Sequence, residues 1–286
     1  CINIEAVYDD LLKENQYQPF KGMVLTDTFQ LYEQDRDMIA NLLPDNSKRR
    51  TEQKQRKITV LIGNPPYSAG QSSANDNAAN LSYRNLDARI EETYAYESTA
   101  NNKNSLYDSY IRAFRWASDR IGEEGVIGFV TNAGWVDGNA TDGFRKCLTE
   151  EFSRLYIFHL RGNQRTSGEL SRREGGKIFG SGSRAPISIT ILVKRKNSAE
   201  SGEIYFHDIG DYLDRKQKLS YITNIKSISG ISKQNKFTRI EPDGDNDWIN
   251  KGNKLFSKFW TLGEKPRKIS NVIFENYSNG LKTNCD

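Results

Sequence analysis

The chain has few of the residues that make covalent cross-links or transition-metal sites. Its three cysteines, Cys1, Cys147 and Cys285, lie far apart and form no Cys-x-x-Cys pair. That spacing excludes the disulfide framework of a small secreted domain and fits a reducing, cytoplasmic setting. The two histidines, His159 and His207, cannot be combined with such cysteines into a zinc pattern, so no metal site is expected. His159 lies in an apolar, strand-like run and reads as a core or edge residue rather than a ligand or base. No apolar run approaches the roughly 20 residues that span a bilayer, and no signal peptide opens the sequence, so no membrane partner is expected. An excess of one charge is also missing, because 41 basic against 37 acidic residues give a net charge of +4. So mild a balance does not identify a polyanionic partner, and the placement of the basic residues must do so. Repeats and low-complexity segments are absent. The sequence opens at Cys1 in mid-pattern and closes at Asp286 without a natural stop signal, so a longer parent polypeptide is expected.

Alternating strand-like and helix-like segments occupy most of the 286 residues, a length that suits one large domain or one domain and part of another. Fourteen Tyr, 13 Phe and 4 Trp supply core material and argue against disorder, although mean hydropathy is −0.73. Ile4, Val7, Tyr8, Leu11 and Leu12 share one helical face. Residues 22–29 read as a short apolar strand with Asp27 near its tip. An acidic residue there can accept a hydrogen bond from an adenine amino group or a ribose hydroxyl, and equally can cap a helix or turn. The run Lys48-Arg49-Arg50 reads as a solvated surface. Residues 106–121 keep a helical apolar period, 125–132 form a buried strand, a helix opens at Asp142, and 155–160 and 187–193 are further strands. This alternation predicts a mostly parallel sheet with crossover helices. Beyond residue 200 the alternation fades into an appended region.

The stretch the rest serves is Ile58-Thr59-Val60-Leu61-Ile62-Gly63-Asn64-Pro65-Pro66-Tyr67. Its first half reads as a strand buried on both faces. Two prolines then stop it, since neither donates to a ladder and each restricts the preceding residue. What results is a stiff loop at the carboxyl end of a central strand, where open α/β sheets place ligands. Asn64 brings an amide that donates and accepts, Pro65 a fixed carbonyl and Tyr67 a flat face, which together suit a planar base with an exocyclic amino group. A second unusual stretch is residues 161–185, where Arg161, Arg165, Arg172, Arg173, Lys177 and Arg184 face only Glu169 and Glu174, with six glycines. Such a loop can approach a phosphate backbone closely.

The tetrapeptide Asn64-Pro65-Pro66-Tyr67 resembles motif IV of the amino-methyltransferases that modify adenine N6 in DNA. With Ser72-Ala74-Asn75-Asp76-Asn77, Asn104 to Tyr110, Arg161 to Gly168 and Ile178 to Arg184, the chain is similar to the methyltransferase part of type ISP restriction-modification enzymes. Those are single polypeptides that join nuclease, helicase-like, methyltransferase and target-recognition domains. The resemblance implies a Rossmann-like α/β sheet that uses S-adenosylmethionine (AdoMet). The sheet would be incomplete at its N-terminal side, because the family's glycine-rich motif I and the acidic residue of motif II have no counterpart here. Residues 1–200 would be a partial catalytic domain and 201–286 an appended region leading toward target recognition. Asp27, at the place of motif III, and Asn64 would hold the cofactor. Asn64, Pro65, Pro66 and Tyr67 would carry catalysis. Tyr67 and Phe179, at the place of motif VIII, would stack on a flipped base, and the six basic residues of 161–185 would contact double-stranded DNA. With the cofactor site incomplete, this piece alone is expected to be inactive. The alternatives are an RNA or protein-glutamine methyltransferase, or a non-catalytic DNA-binding scaffold.

Overall fold

The structure is a computed structural model that describes residues 2–12, 17–18, 20–31, 33, 41–66, 83–179, 184–196, 202–234, 236–251, 259–260 and 273. Six strands form one sheet: β1 (Val60–Gly63), β2 (Gly125–Asn132), β3 (Arg154–His159), β4 (Ile187–Lys194), β5 (Glu203–Asp208) and β6 (Thr238–Ile240), in the order β1-β2-β4-β3-β5-β6. Around them lie α1 (Ile2–Leu12), α2 (Pro44–Gln55), α3 (Arg84–Ile90), α4 (Ser109–Arg120), α5 (Asp142–Glu151), α6 (Gly168–Glu174), α7 (Arg215–Ile225) and α8 (Ile228–Lys233).

The pairing is mixed rather than mostly parallel. β1 runs parallel to β2 and β3 to β5, while β4 lies antiparallel to both β2 and β3. The cause is the connection from β3 to β4: it turns back through α6 at the end it left, without a crossover to the opposite end. As a result the carboxyl ends of β1, β2, β3 and β5 gather at one end of the sheet, and the 160–186 connection lies there too. The sheet also continues past residue 200, because β5 pairs with β3 along its whole length and β6 pairs with β5.

Two further expectations are corrected. β1 is not buried on both faces but is an edge, with Val60 57% and Ile62 86% exposed. It hydrogen-bonds to β2 on one flank and to no strand on the other among the described residues. Its β-branched run resembles that of a central strand, but exposure depends on how many neighbours it has. Residues 22–28 form no strand; they lie beside α2. The Leu25 amide donates to Asn46 Oδ1 (2.8 Å) and the Asn46 amide donates to the Leu25 carbonyl (2.9 Å), so one side chain takes the place of a neighbouring strand. Arg49 Nε adds a bond to the Met23 carbonyl at 3.1 Å.

One face of the sheet carries the main core. Tyr110, Ile111, Phe114 and Ala117 of α4 are buried at helical spacing. Phe114 meets Phe129, Phe144 and Trp135 at 5.2, 5.3 and 5.9 Å between ring centres. The opposite face packs Phe158, Leu160, Ile178 and Ile187 with Ile225 of α7 and Ile231 of α8. α5 approaches the chain at 94–98 so closely that a Cβ on Gly143 would lie 2.3 Å from the Tyr94 carbonyl oxygen. Only glycine fits there. Behind α5, Arg145 is fully buried, donating to the carbonyls of Gly138 (2.7 Å), Trp135 (3.1 Å) and Asn246 (2.7 Å) and pairing with Asp247 (2.7 Å). It ties the segment after β6 to the connection that follows β2.

Candidate active site

Where β1 stops, the chain opens a cavity of about 530 Å³. Its polar rim is Asp27, Asn64, Pro65 and Pro66, and its aromatic wall is Phe29, Tyr83, Trp116 and Phe129. Gly63 allows the proline loop to sit on that wall, since a Cβ there would meet the Phe129 ring at 3.2 Å. The Asn64 amide is exposed, and neither it nor the Pro65 carbonyl has a hydrogen-bond partner among the described residues. Both therefore remain available to a planar ligand. Tyr67 lies outside the described residues.

Asp27 is held in place by its surroundings. Its carboxylate accepts from the Phe29 amide at 3.0 Å and from the Tyr83 hydroxyl at 2.9 Å. A carboxylate has about four acceptor positions, so two stay open toward the cavity. Tyr83 stands edge-on to Phe29 at 5.1 Å and lies under the Arg112 guanidinium at 5.5 Å. Arg112 in turn grips Asp87 with two bonds of 2.7 and 3.0 Å, and Asp87 accepts from the Tyr83 amide at 3.2 Å. Burial, reinforced by the hydrogen bond to Asp27, pushes the Tyr83 phenol well above its ordinary pKa, so it stays protonated as a donor.

The resemblance gave Asp27 and Asn64 a shared place beside the cofactor, and the fold brings Asp27 and the proline loop into one cavity. The sequence reading did not nominate Tyr83, Trp116 or Phe129. Tyr83 acts on Asp27 from 56 residues away, a pairing no local pattern shows. Trp116 sits on α4 beside aromatics that read as core, so no site was expected on that helix.

Phe179 does not line this cavity; it packs half-buried with the second cluster, on the connection between β3 and β4. The basic residues of that connection divide into two groups. Arg161, with φ of 57°, pairs with Asp208 (2.6 Å) and Asp211 (2.5 Å), Arg173 with Asp211 (2.9 Å), and exposed Arg172 with Glu169 (3.3 Å). Arg165 and Arg184 are exposed and make no ion pair among the described residues, and Lys177 is half-buried. Counting charge within 161–185 missed Asp208 and Asp211, which the fold brings in from the end of β5 and the residues after it. No group of acidic, histidine and cysteine side chains fit for a metal ion occurs among the described residues.

Residues 5–165 match the model of the family described as Eco57I restriction-modification methylase. Among solved structures, the chain is 45% identical to a nuclease-deletion mutant of the type ISP restriction-modification enzyme LlaGI in complex with a DNA substrate mimic, with a TM-score of 0.85 over 95% of this chain and 22% of that one. It is 42% identical to the ATP-dependent type ISP enzyme LlaBIII bound to DNA, with a TM-score of 0.89 over 99% of this chain and 18% of that one. To the DrdV–DNA complex it is 33% identical, with a TM-score of 0.78 over 92% and 25%. The chain thus spans about a fifth to a quarter of the length of these relatives. No curated protein sequence matches it.

Proposed function

Because the chain belongs to the Eco57I restriction-modification methylase family, we propose that it is the methyl-transferring module of a larger type ISP-like polypeptide and moves a methyl group from AdoMet to N6 of an adenine in double-stranded DNA. The observation that carries this reading is the meeting of Asp27 and the Asn64-Pro65 rim in one cavity beside the carboxyl end of β1. That cavity, at about 530 Å³, falls in the roughly 300–1,000 Å³ range of small-molecule and cofactor sites. An aromatic wall beside a carboxylate with open acceptor positions suits the adenosine part of AdoMet. Bound there, AdoMet supplies an electrophilic methyl group.

The chain's own residues do the rest. An adenine stacked in a duplex cannot present its amino group, so it must first leave the helix. The Asn64 side-chain oxygen and the Pro65 carbonyl accept hydrogen bonds from that amino group and fix the direction of its lone pair. Pro66 keeps the Pro65 carbonyl rigid, because its ring restricts the preceding residue. Tyr67 stacks on one side of the base, and Phe179, which does not line the cavity but lies on the connection at the same end of the sheet, would meet the other side once the base is extruded; such stacking contributes about 1–3 kcal/mol per base. No general base is needed at the start, since the amine becomes acidic only after gaining the methyl. The rate gain is then mostly alignment and electrostatics. Arg165 and Arg184 supply salt-sensitive contacts to the phosphate backbone.

The test is a transfer assay with labelled AdoMet and the complete polypeptide, offered duplex DNA, RNA and a glutamine-bearing peptide. Label is expected in N6-methyladenine of the duplex. Label in RNA or glutamine instead would overturn the DNA assignment, and absence of AdoMet binding would leave a scaffold. Asp27→Ala removes a charged acceptor, a loss of about 1.5–3 kcal/mol, so AdoMet affinity measured by calorimetry falls roughly 10- to 100-fold. DNA affinity of the same variant stays within about threefold, because Asp27 is not one of the basic residues assigned to the phosphate backbone.

A further inference from the structure

The amino-terminal turn of α7 grips the stretch that leads into Phe179. The Gly176 amide donates to the Leu213 carbonyl (2.9 Å), the Tyr212 amide to Arg173 (3.0 Å), and Arg215 Nε to the Ile178 carbonyl (2.9 Å). Two successive glycines make this approach possible: a Cβ on Gly175, whose φ is +68°, would lie 2.1 Å from the Leu213 oxygen, and one on Gly176 2.6 Å from the Arg215 nitrogen. Beneath them Lys218 is fully buried, and its Nζ donates to the carbonyls of Glu174 (2.8 Å) and Gly176 (2.9 Å). The Glu174 carbonyl also accepts from the Gly162 amide at 3.1 Å, so one ammonium fastens both limbs of the connection, the one leaving β3 and the one approaching Phe179. Glu174, Arg161 and Asp208 are the charged groups that act on it.

A buried ammonium is costly, and a methionine would fill the same space without that cost. Packing alone does not explain a lysine here, whereas directed donation to two carbonyls does. We infer that Lys218 is a positioning residue for methyl transfer: it sets the path of residues 174–178 and through them the placement of Phe179 at the flipped base. This rests on the reading of Phe179 as a base contact. Lys218 touches neither cofactor nor base.

In the complete polypeptide, Lys218→Met keeps the volume and removes the donors. The expected result is a drop in kcat of roughly 10-fold or more and a weaker base-extrusion signal from a fluorescent adenine analogue, with AdoMet affinity within twofold of wild type. Lys218→Gln returns a donor one atom shorter, able to serve one of the two carbonyls, and is expected to recover part of both losses. Arg215→Met, at an exposed position, removes only the bond to Ile178 and is expected to act in the same direction, more weakly, with folding intact. Wild-type turnover and extrusion in both Met variants would overturn the inference. So would AdoMet affinity falling in parallel without recovery by Gln, since that marks general loosening. Phe179→Ala separates the two layers: if it leaves turnover and extrusion unchanged, the underlying reading of Phe179 fails, whereas loss there with intact Lys218→Met and Arg215→Met sinks only the positioning role.

Discussion

Asn64→Ala in the complete polypeptide lowers kcat for adenine methylation by roughly 10²–10³-fold, the usual effect of removing one preorganised polar group that acts on the reacting centre. Duplex DNA affinity stays within a few fold. The separation follows from where Asn64 sits: its amide is exposed at the cavity rim and bonds to nothing among the described residues, so truncation leaves no buried group orphaned and no packing lost. Stability should therefore move by no more than about 0.5 kcal/mol, as for surface substitutions generally. Single-turnover transfer of labelled methyl, set beside a DNA-binding titration and a thermal melt, checks all three. Near-full turnover would exclude Asn64 from the chemistry, and a large fall in melting temperature would assign the loss to folding.

The largest effect on stability belongs to Arg145→Met, which destabilises the chain by about 1–3 kcal/mol, the cost of leaving buried carbonyls without their donor. Methionine fills the space but supplies no donor. The Asn246 carbonyl loses its bond at 2.7 Å and Asp247 its partner. Thr141 Oγ1 reaches the Trp135 and Gly138 carbonyls at 2.8 Å each, but a hydroxyl has one proton and cannot serve both fully. The damage should spread to the junction Arg145 secures, where Trp135 and Trp248 meet at 5.4 Å between ring centres. Denaturant unfolding followed by tryptophan fluorescence reports both the fall in midpoint and the loosening of that pair. An unchanged midpoint would mean that the guanidinium is not structural.

Much of the framework was legible because its elements are long and periodic. β2 was read at its observed bounds, β3 and β4 within a residue at one or both ends, and the helix opening at Asp142 at its first residue. What escaped reading depends on neighbours rather than on period. The apolar run of β1 says strand, but nothing in it says that only one flank is paired. The stretch 22–28 has as its partner the side chain of Asn46, 21 residues from Leu25. At the candidate site, Asp27 and Asn64 were legible together through the motifs they resemble, but the aromatic wall was not. Trp116 shares its helix with buried Tyr110 and Phe114, and its place at the cavity depends on residues 26–29 and 61–66, which reach it from elsewhere in the chain. The neutralisation of Arg161 and Arg173 was hidden for a related reason: local charge counts are blind to carboxylates that arrive from another strand.

The one-sided pairing of β1 has a consequence for handling the molecule. Among the described residues no strand pairs with one flank of β1; such a flank is a template for another strand, and sheets normally blunt it with charge, proline or a bulge. Between Val60 and Gly63 none of these occurs, and the prolines come only after the ladder has ended. Its four residues keep that ladder short, yet unless another stretch of polypeptide lies against the flank, it is where isolated chains would associate edge to edge, with Ile62 exposed beside it. A lysine in place of Ile62 would act as a gatekeeper.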